Sequence, residues 1–162
     1  MLADAEAIKV AVSCLESVMV TDFKILLNHR EILLEMVRSA GVDEAKVLGV
    51  CTTIDKADKT ERDELRKELL EVRQIPEKAA DLLLKLAYQT FEAENFNEMR
   101  VTLETAIGKN EKIDNLMDKM QLLLKYTGAY GINKYIDLCL GLTRGLGYYT
   151  GISFNDHTFL IC

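Results

Sequence analysis

Apolar residues recur along the chain with two spacings, and the changes of spacing divide it into three stretches. In the first, residues 1–43, Ile8, Ala11, Val12, Leu15, Val18 and Met19 follow the i, i+3, i+4, i+7 rule of a helix face, with Asp4 placed to cap it. The spacing then shortens to two at Phe23, Ile25 and Leu27 within Asp22–Leu27, which predicts a strand. Helical spacing returns at Leu33, Met36, Val37 and Ala40, with Asn28 as N-cap and Gly41 as the left-handed stop. Helix, strand, helix is the predicted order.

Residues 44–108 read as helical throughout. Lys46 to Ile54 is short and mostly apolar, and it leads into a charged connector, Asp55 to Lys59. Thr60 is the predicted cap of the next helix, with Asp63 at N3 and a narrow stripe of Leu65, Leu69 and Val72. Pro76, the only proline, suits a first helical turn ahead of Ala79, Leu82, Leu83 and Leu86, because the N–H it lacks would be unpaired there anyway. A third helix is predicted from Asn97 to Ile107, stopped by Gly108. Between Asp55 and Arg73 seven acidic and six basic side chains nearly cancel, which reads as a solvated surface with i, i+4 pairs.

The third stretch, residues 109–162, opens with a strong amphipathic pattern. Ile113, Leu116, Met117, Met120, Leu123, Leu124 and Thr127 hold one face before Gly128 ends the helix. Strands are predicted at Ile132–Leu140 and Tyr149–Phe154, then a turn at Asn155-Asp156 and a further apolar run from His157 to Cys162. Three strands in succession suggest an antiparallel meander. The predicted class is α+β, mostly helical, with a partial antiparallel sheet interrupted by an all-helical middle.

Composition adds limits. At 49% hydrophobic and 28% charged, the chain is of globular type, neither disordered nor collagen-like. With 162 residues it can bury roughly 70% of its unfolded surface, so no metal or disulfide staple is needed on size grounds. A net charge of −6 repels phosphate backbones at long range, and no basic run offsets it, so charge alone predicts no nucleic acid. The longest run without a charged residue, Gly145 to Asn155, is far short of the ~20 apolar residues that cross a bilayer, so no membrane partner is expected. The first residues lack the basic and apolar regions of a signal peptide, and the cytoplasm is the expected compartment. Cys14, Cys51, Cys139 and Cys162 are widely spaced with no close ligand pairs, which reads as free thiols and no metal site. His29 and His157 stand apart from any nucleophile and read as capping or surface imidazoles.

One segment carries chemistry. Gly141, Gly145, Gly147 and Gly151 fall within eleven residues, and glycine in strands marks a bulge, a positive φ or close approach by a ligand. A glycine-rich hairpin accounts for the spacing. The intervening residues point further: Arg144 offers a planar cationic fork for a carboxylate or phosphate, while Tyr148 and Tyr149 offer ring faces and hydroxyls for a flat polar ligand. The order G-x-x-x-x-G-K-[ST] of a phosphate loop is absent.

Arg144-Gly145-Leu146-Gly147-Tyr148-Tyr149-Thr150-Gly151 closely resembles the histidine-binding signature R-G-L-D-Y-Y-T-G of histidyl-tRNA synthetases, a class II aminoacyl-tRNA synthetase family. Asp22 to Arg30 resembles the F-x-I-x-[LV]-N-x-R strand and turn of that family, and Ile54 to Lys59 its D-K-L-D-K segment. These motifs occur in the family's order across nearly the whole chain. Gly147 departs from the usual aspartate, and Asn155 stands where glutamate is common.

The resemblance implies a fold and an activity. Residues 1–43 and 109–162 would be pieces of the class II catalytic core, with residues 44–108 a helical insertion domain that contacts the tRNA acceptor stem. Arg144 would be catalytic, meeting the α-phosphate and the histidine carboxylate, and Tyr148 and Tyr149 would join it in binding histidine. The implied reaction uses ATP and Mg2+ to adenylate L-histidine, which is then transferred to tRNA(His) by a homodimeric enzyme. Motif 1, motif 2, motif 3, the second histidine-binding segment and an anticodon domain are not found, so a fragment is expected, inactive and without bound cofactor by itself. Its cut sheet edges predict self-association or disorder after about Gly141. The alternatives are a non-catalytic synthetase-like paralogue, such as an ATP phosphoribosyltransferase regulatory subunit or a kinase sensor domain, and a plain helical interaction module. Retention of Arg144, Tyr148 and Tyr149 counts against the paralogue, and the glycine-tyrosine cluster against the module.

Overall fold

A computed structural model of the chain describes residues 1–20, 22–57, 59–142 and the backbone of 152–158. Helix α1 (Leu2–Ser17) is followed by strand β1 (Phe23–His29) and helix α2 (Arg30–Ser39), the predicted opening order. Then come α3 (Glu44–Ile54), α4 (Arg62–Lys67) running into a π-helical turn (Glu68–Val72), and α5 (Glu77–Ala87). Strand β2 (Thr90–Glu92) and a 3-10 turn (Ala93–Asn95) lead to α6 (Phe96–Ile107) and the long α7 (Glu111–Ala129). A second 3-10 turn (Asn133–Tyr135) precedes β3 (Ile136–Cys139), and β4 (Ile152–Thr158) is the last described strand.

The four strands form one sheet in the order β2-β3-β1-β4. Along β1, Phe23, Ile25 and Leu27 are buried while Lys24 and Leu26 are half-buried, as the period of two requires. Ile25 and Leu27 lie in register with Ile136 and Leu138, and Phe91 with Leu138, so one face of the sheet is apolar across three strands. Helix α7 packs against α1 and α2, and all seven residues of its predicted face are buried. A single continuous cluster of buried side chains draws on all three stretches, from Ala5 through Leu83 to Leu140.

The α+β class holds, with differences in detail. The sheet is mixed: β1 runs parallel to β3 and antiparallel to β4, because a helical crossover, rather than a hairpin, joins β1 to β3. The expected meander is absent, since β1 lies between β3 and β4. Asn155 and Asp156, read as a turn, continue β4 in register with Leu26 and Ile25. The predicted beginning of that strand at Tyr149, and residues 159–162 of the last run, lie outside the described residues. The middle is not wholly helical, because β2 pairs with β3 and adds an edge strand too short for an alternation to reveal.

Helix ends differ as well. Met1 occupies the first cap and Asp4 sits in the first turn, bonded to the amino terminus. Glu61, not Thr60, precedes α4. Among the described residues, charges of the middle pair between elements: Arg66 of α4 reaches Glu77 and Asp81 of α5. Gly128 lies inside α7, where a Cβ would stand 3.1 Å from Asn133 Nδ2; Gly131, at φ 70°, makes the left-handed exit. Asn133 uses that space to donate to the Leu124 carbonyl and to accept from the Thr127 hydroxyl, closing the end of the helix. Met120 is fully buried in this face, so Met120→Ala is expected to lower stability by about 2–5 kcal/mol in urea unfolding.

Candidate functional site at the end of the first strand

Asn28 interrupts an apolar run near the end of β1, and its side chain is completely buried. Its Nδ2 donates to the carbonyls of Leu140 (3.1 Å) and Leu142 (3.0 Å), and its Oδ1 accepts from the His29 amide at 2.8 Å. Both amide hydrogens are thus used, and the network fixes which way the amide faces. The two carbonyls lie just past β3, where the ladder has ended, and buried backbone acceptors need a partner from somewhere. The Leu142 amide folds back on the Cys139 carbonyl at 3.1 Å, so the chain turns as it leaves the strand.

Gly141 forms the other side of that turn. A Cβ there would lie 2.4 Å from the carbonyl oxygen of Ala87, the last residue of α5. The exit from β3 is therefore held between a side-chain amide of β1 and the end of a helix from the middle stretch. Thr143 to Gly151, which include Arg144, Tyr148, Tyr149 and three of the clustered glycines, lie outside the described residues. Their described neighbours meet at one place. Leu142 bonds to Asn28, and Ile152 stands in register with His29, the next residue of β1.

His29 takes the capping role that the sequence suggested for Asn28. Because β1 continues through His29, helix α2 starts one residue later, and His29 Nδ1 accepts from the Glu31 amide at 3.2 Å. Burial holds the imidazole below its ordinary pKa and outweighs the opposing pull of Glu31; Lys119 acts in the same direction as burial. The unprotonated nitrogen that the cap requires is thereby favoured. Arg30 opens α2 and lies 3.6 Å from Glu31, with its buried Nε unpartnered among the described residues.

Charged side chains set the surroundings. On the half-buried face of the sheet, Lys24 of β1 bonds to Asp137 of β3 at 2.9 Å. Below α2, Glu35 is buried, which opposes ionisation, but hydrogen bonds from Lys112 and Arg38, both at 2.6 Å, hold its carboxyl below the usual range. Arg38 continues to Glu44, so this node joins α2 to α3 and α7. In the D-K-x-D-K segment, Lys56 bonds to both oxygens of Glu68, which also accepts from Thr53. Arg73 lies over Gly49 and donates to the same Thr53 hydroxyl, so the π-helical turn is fastened to α3.

The Cys51 thiol is held unreactive: burial pushes it up to about 12, and thiolate is the reactive form. Among the described residues no three His, Cys, Asp or Glu side chains converge on a metal-sized site. Sequence reasoning missed the linking role of Asn28 and the buried carboxylate of Glu35. An asparagine following Ile25-Leu26-Leu27 was the available signal for the first, and a lone glutamate among Ile32, Leu33, Leu34 and Met36 for the second.

Two outcomes follow from this geometry. Gly141→Ala forces the turn off Ala87 and is expected to cost about 1–3 kcal/mol, read as a lowered Tm. For His29 the folded pKa lies below the unfolded one, so the stability it contributes is present above about pH 6.5 and lost as pH falls through the folded value. Melting temperatures between pH 8 and pH 5 are expected to fall in the wild type by more than in His29→Asn, which caps without titrating in that range.

A family model for histidyl-tRNA synthetase matches residues 1–158. The mitochondrial histidine–tRNA ligase of Saccharomyces cerevisiae is 33% identical over 154 residues, 95% of this chain and 28% of that protein. The cytoplasmic histidine–tRNA ligase of Dictyostelium discoideum is 32% identical over 155 residues, 95% of this chain and 32% of its own length. This chain thus spans about three tenths of the length of these two relatives. In fold it is similar to the histidyl-tRNA synthetase of Nostoc sp., with a TM-score of 0.85 at 20% identity over 97% of this chain and 36% of that one. A protein of Bacillus halodurans described as an ATP phosphoribosyltransferase regulatory subunit/histidyl-tRNA synthetase gives a TM-score of 0.77 at 18% identity, over 99% of this chain and 40% of that one. With a family match running through β1, the helical middle and β4, the chain belongs to the histidyl-tRNA synthetase family.

Proposed function

We propose that this chain works as part of a histidine–tRNA ligase and supplies one wall of its histidine site. The observation that carries the reading is the family match over residues 1–158 combined with Arg144, Tyr148 and Tyr149 in the signature segment. In the proposed reaction a carboxylate oxygen of L-histidine attacks the α-phosphorus of ATP and pyrophosphate leaves; a hydroxyl at the end of tRNA(His) then attacks the carbonyl of the adenylate, forming the ester as AMP departs. Arg144 stabilises the negative charge that gathers at the α-phosphate and orients the carboxylate. Tyr148 and Tyr149 flank the imidazole.

Magnesium accompanies ATP in this chemistry, and no described residue is assigned to it. Residues 1–43 and 109–162 are taken as core, and the largely helical 44–108 as the insertion that approaches the acceptor stem. Support for the last point comes from Arg62, Lys67, Lys78 and Lys85, which are exposed and form no ion pair among the described residues. The assembly is taken as a homodimer. The cytoplasm remains the proposed compartment, matching the Dictyostelium relative and not the yeast one.

A regulatory role is the second reading, favoured by the fold likeness to the Bacillus halodurans protein and by Gly147 in place of aspartate. ATP–pyrophosphate exchange separates the two. The native protein that carries this segment is expected to show histidine-dependent exchange, with Arg144→Ala lowering kcat/KM by about 10²–10³-fold. The isolated 162-residue chain is expected to show none. Absence of histidine-dependent exchange in the native protein, or full activity in Arg144→Ala, contradicts the ligase reading.

A further inference from the structure

We propose that Glu35 is a positioning residue for tRNA engagement: its buried carboxylate holds Lys112 and Arg38 where the chain leaves the core and returns to it, and Arg38 in turn sets the direction of α3. The inference rests on the reading of residues 44–108 as the insertion that approaches the acceptor stem. It starts from the two passages of the chain. One leaves the core between α2 and α3, at residues 40–43, and the other returns between α6 and α7, at residues 108–110. Each turns at a glycine of positive φ, Gly41 at 81° and Gly108 at 78°, and nothing stands within 4 Å of the position a Cβ would take at either. The turns are unpacked on that side, so the direction of the helices beyond them has to be set elsewhere.

The passages run side by side. Asn110 Nδ2 donates to Ser39 Oγ at 3.2 Å, and Lys112 Nζ donates to Glu35 Oε1 at 2.6 Å. The same Glu35 oxygen accepts from Arg38 Nη1, also at 2.6 Å. The Nε–Nη2 edge of that guanidinium donates twice to Glu44, Nε to Oε2 at 2.8 Å and Nη2 to Oε1 at 2.7 Å. A paired bond of this kind fixes direction as well as distance, because the planar fork meets the carboxylate in one plane. Glu44 is the first residue of α3.

Stability does not account for a carboxylate in this place. Burying a charge is costly, apolar side chains of similar volume commonly serve as well, and an exposed pair such as Arg38 and Glu44 adds little. What the network supplies is geometry. Helix α3 has 11 residues and is about 16 Å long, so a tilt of about 10° at Glu44 moves Ile54 by about 3 Å. The displacement passes on, since Glu68 fastens the π-helical turn to Thr53 and Lys56, and Arg66 fastens α4 to α5. Those helices carry Arg62, Lys67, Lys78 and Lys85. Strand β2, paired in the sheet, holds the far end of the middle, which leaves α3 as the end that the Glu35 network governs.

Glu35→Met keeps the volume and removes the carboxylate, while Arg38 and Lys112 can turn to the solvent their side chains already reach. In the native ligase this variant is expected to raise KM for tRNA(His) about fivefold in aminoacylation. Histidine-dependent ATP–pyrophosphate exchange, a step that precedes tRNA, is expected to stay within about twofold of wild type. Glu44→Gln, an exposed change that spares the core, breaks the same link and is expected to raise KM for tRNA(His) as well. The double variant is expected to be no worse than Glu35→Met alone, because both changes act on one connection. An exchange-active Glu35→Met with unaltered KM for tRNA(His), or one whose exchange falls by the same factor as its charging, overturns the positioning role and leaves the ligase reading standing. If Glu35→Met does not fold, Glu44→Gln decides by the same two criteria. A native wild type with no histidine-dependent exchange overturns the ligase reading, and unaltered KM for tRNA(His) in the pair Lys78→Glu, Lys85→Glu overturns the insertion reading; the positioning role falls with either.

Discussion

Strand β3 ends with two carbonyls that have no strand to bond to, and the amide of Asn28 is what satisfies them. Left unpaired in the interior, each would cost about 1–3 kcal/mol, so the buried asparagine and the turn that follows β3 stand or fall together. The rest of the local architecture respects that bond. Strand β1 continues one residue past Asn28, which moves the helix cap to His29, and β4 pairs alongside as far as Ile152. Gly141 has no side chain because the end of α5 occupies the space. A polar side chain in an apolar strand thereby ties β1 to the turn that leaves β3, and Gly141 in that turn meets the helical middle.

The helices around this junction are secured in two ways. Apolar faces do most of it, above all that of α7 against α1 and α2. Glu35 adds a charged node inside the packing: its carboxylate would be costly to bury alone, but Arg38 and Lys112 bond to it from two helices, and Glu44 extends the link to α3. In the middle stretch Glu68 has the same role for α3 and the π-helical turn, and Arg66 for α4 and α5. Such nodes set helix register where the apolar stripe is narrow, as it is along Leu65 and Leu69.

Much of this was legible along the chain, and the reasons for the rest are physical. The face of α7 and the alternation in β1 could be read because burial there repeats with a local period. Gly41 and Gly108 were readable as helix stops because each adopts a positive φ. Pairing across the sheet was not, since β1 joins β3 across the whole helical middle and nothing local encodes a parallel partner. Strand β2 is three residues long, too short to alternate, and Asn155-Asp156 looked like a turn because polar pairs often are, whereas here the ladder with β1 holds them extended. Asn28 was read as a cap because asparagine before a helix usually is one; its Nδ2 donates instead to carbonyls more than a hundred positions away. Thr143 to Gly151, with the arginine and two tyrosines, lie outside the described residues; Leu142 before them and Ile152 after them both meet the end of β1.

Co-crystallising the native protein with a non-hydrolysable histidyl-adenylate analogue tests the central claim most directly. The account predicts the Arg144 guanidinium on the α-phosphate and carboxylate of the analogue, with Asn28 Nδ2 still bonded to the Leu140 and Leu142 carbonyls. An analogue bound away from Arg144, or seated there with Asn28 released from both carbonyls, would contradict it.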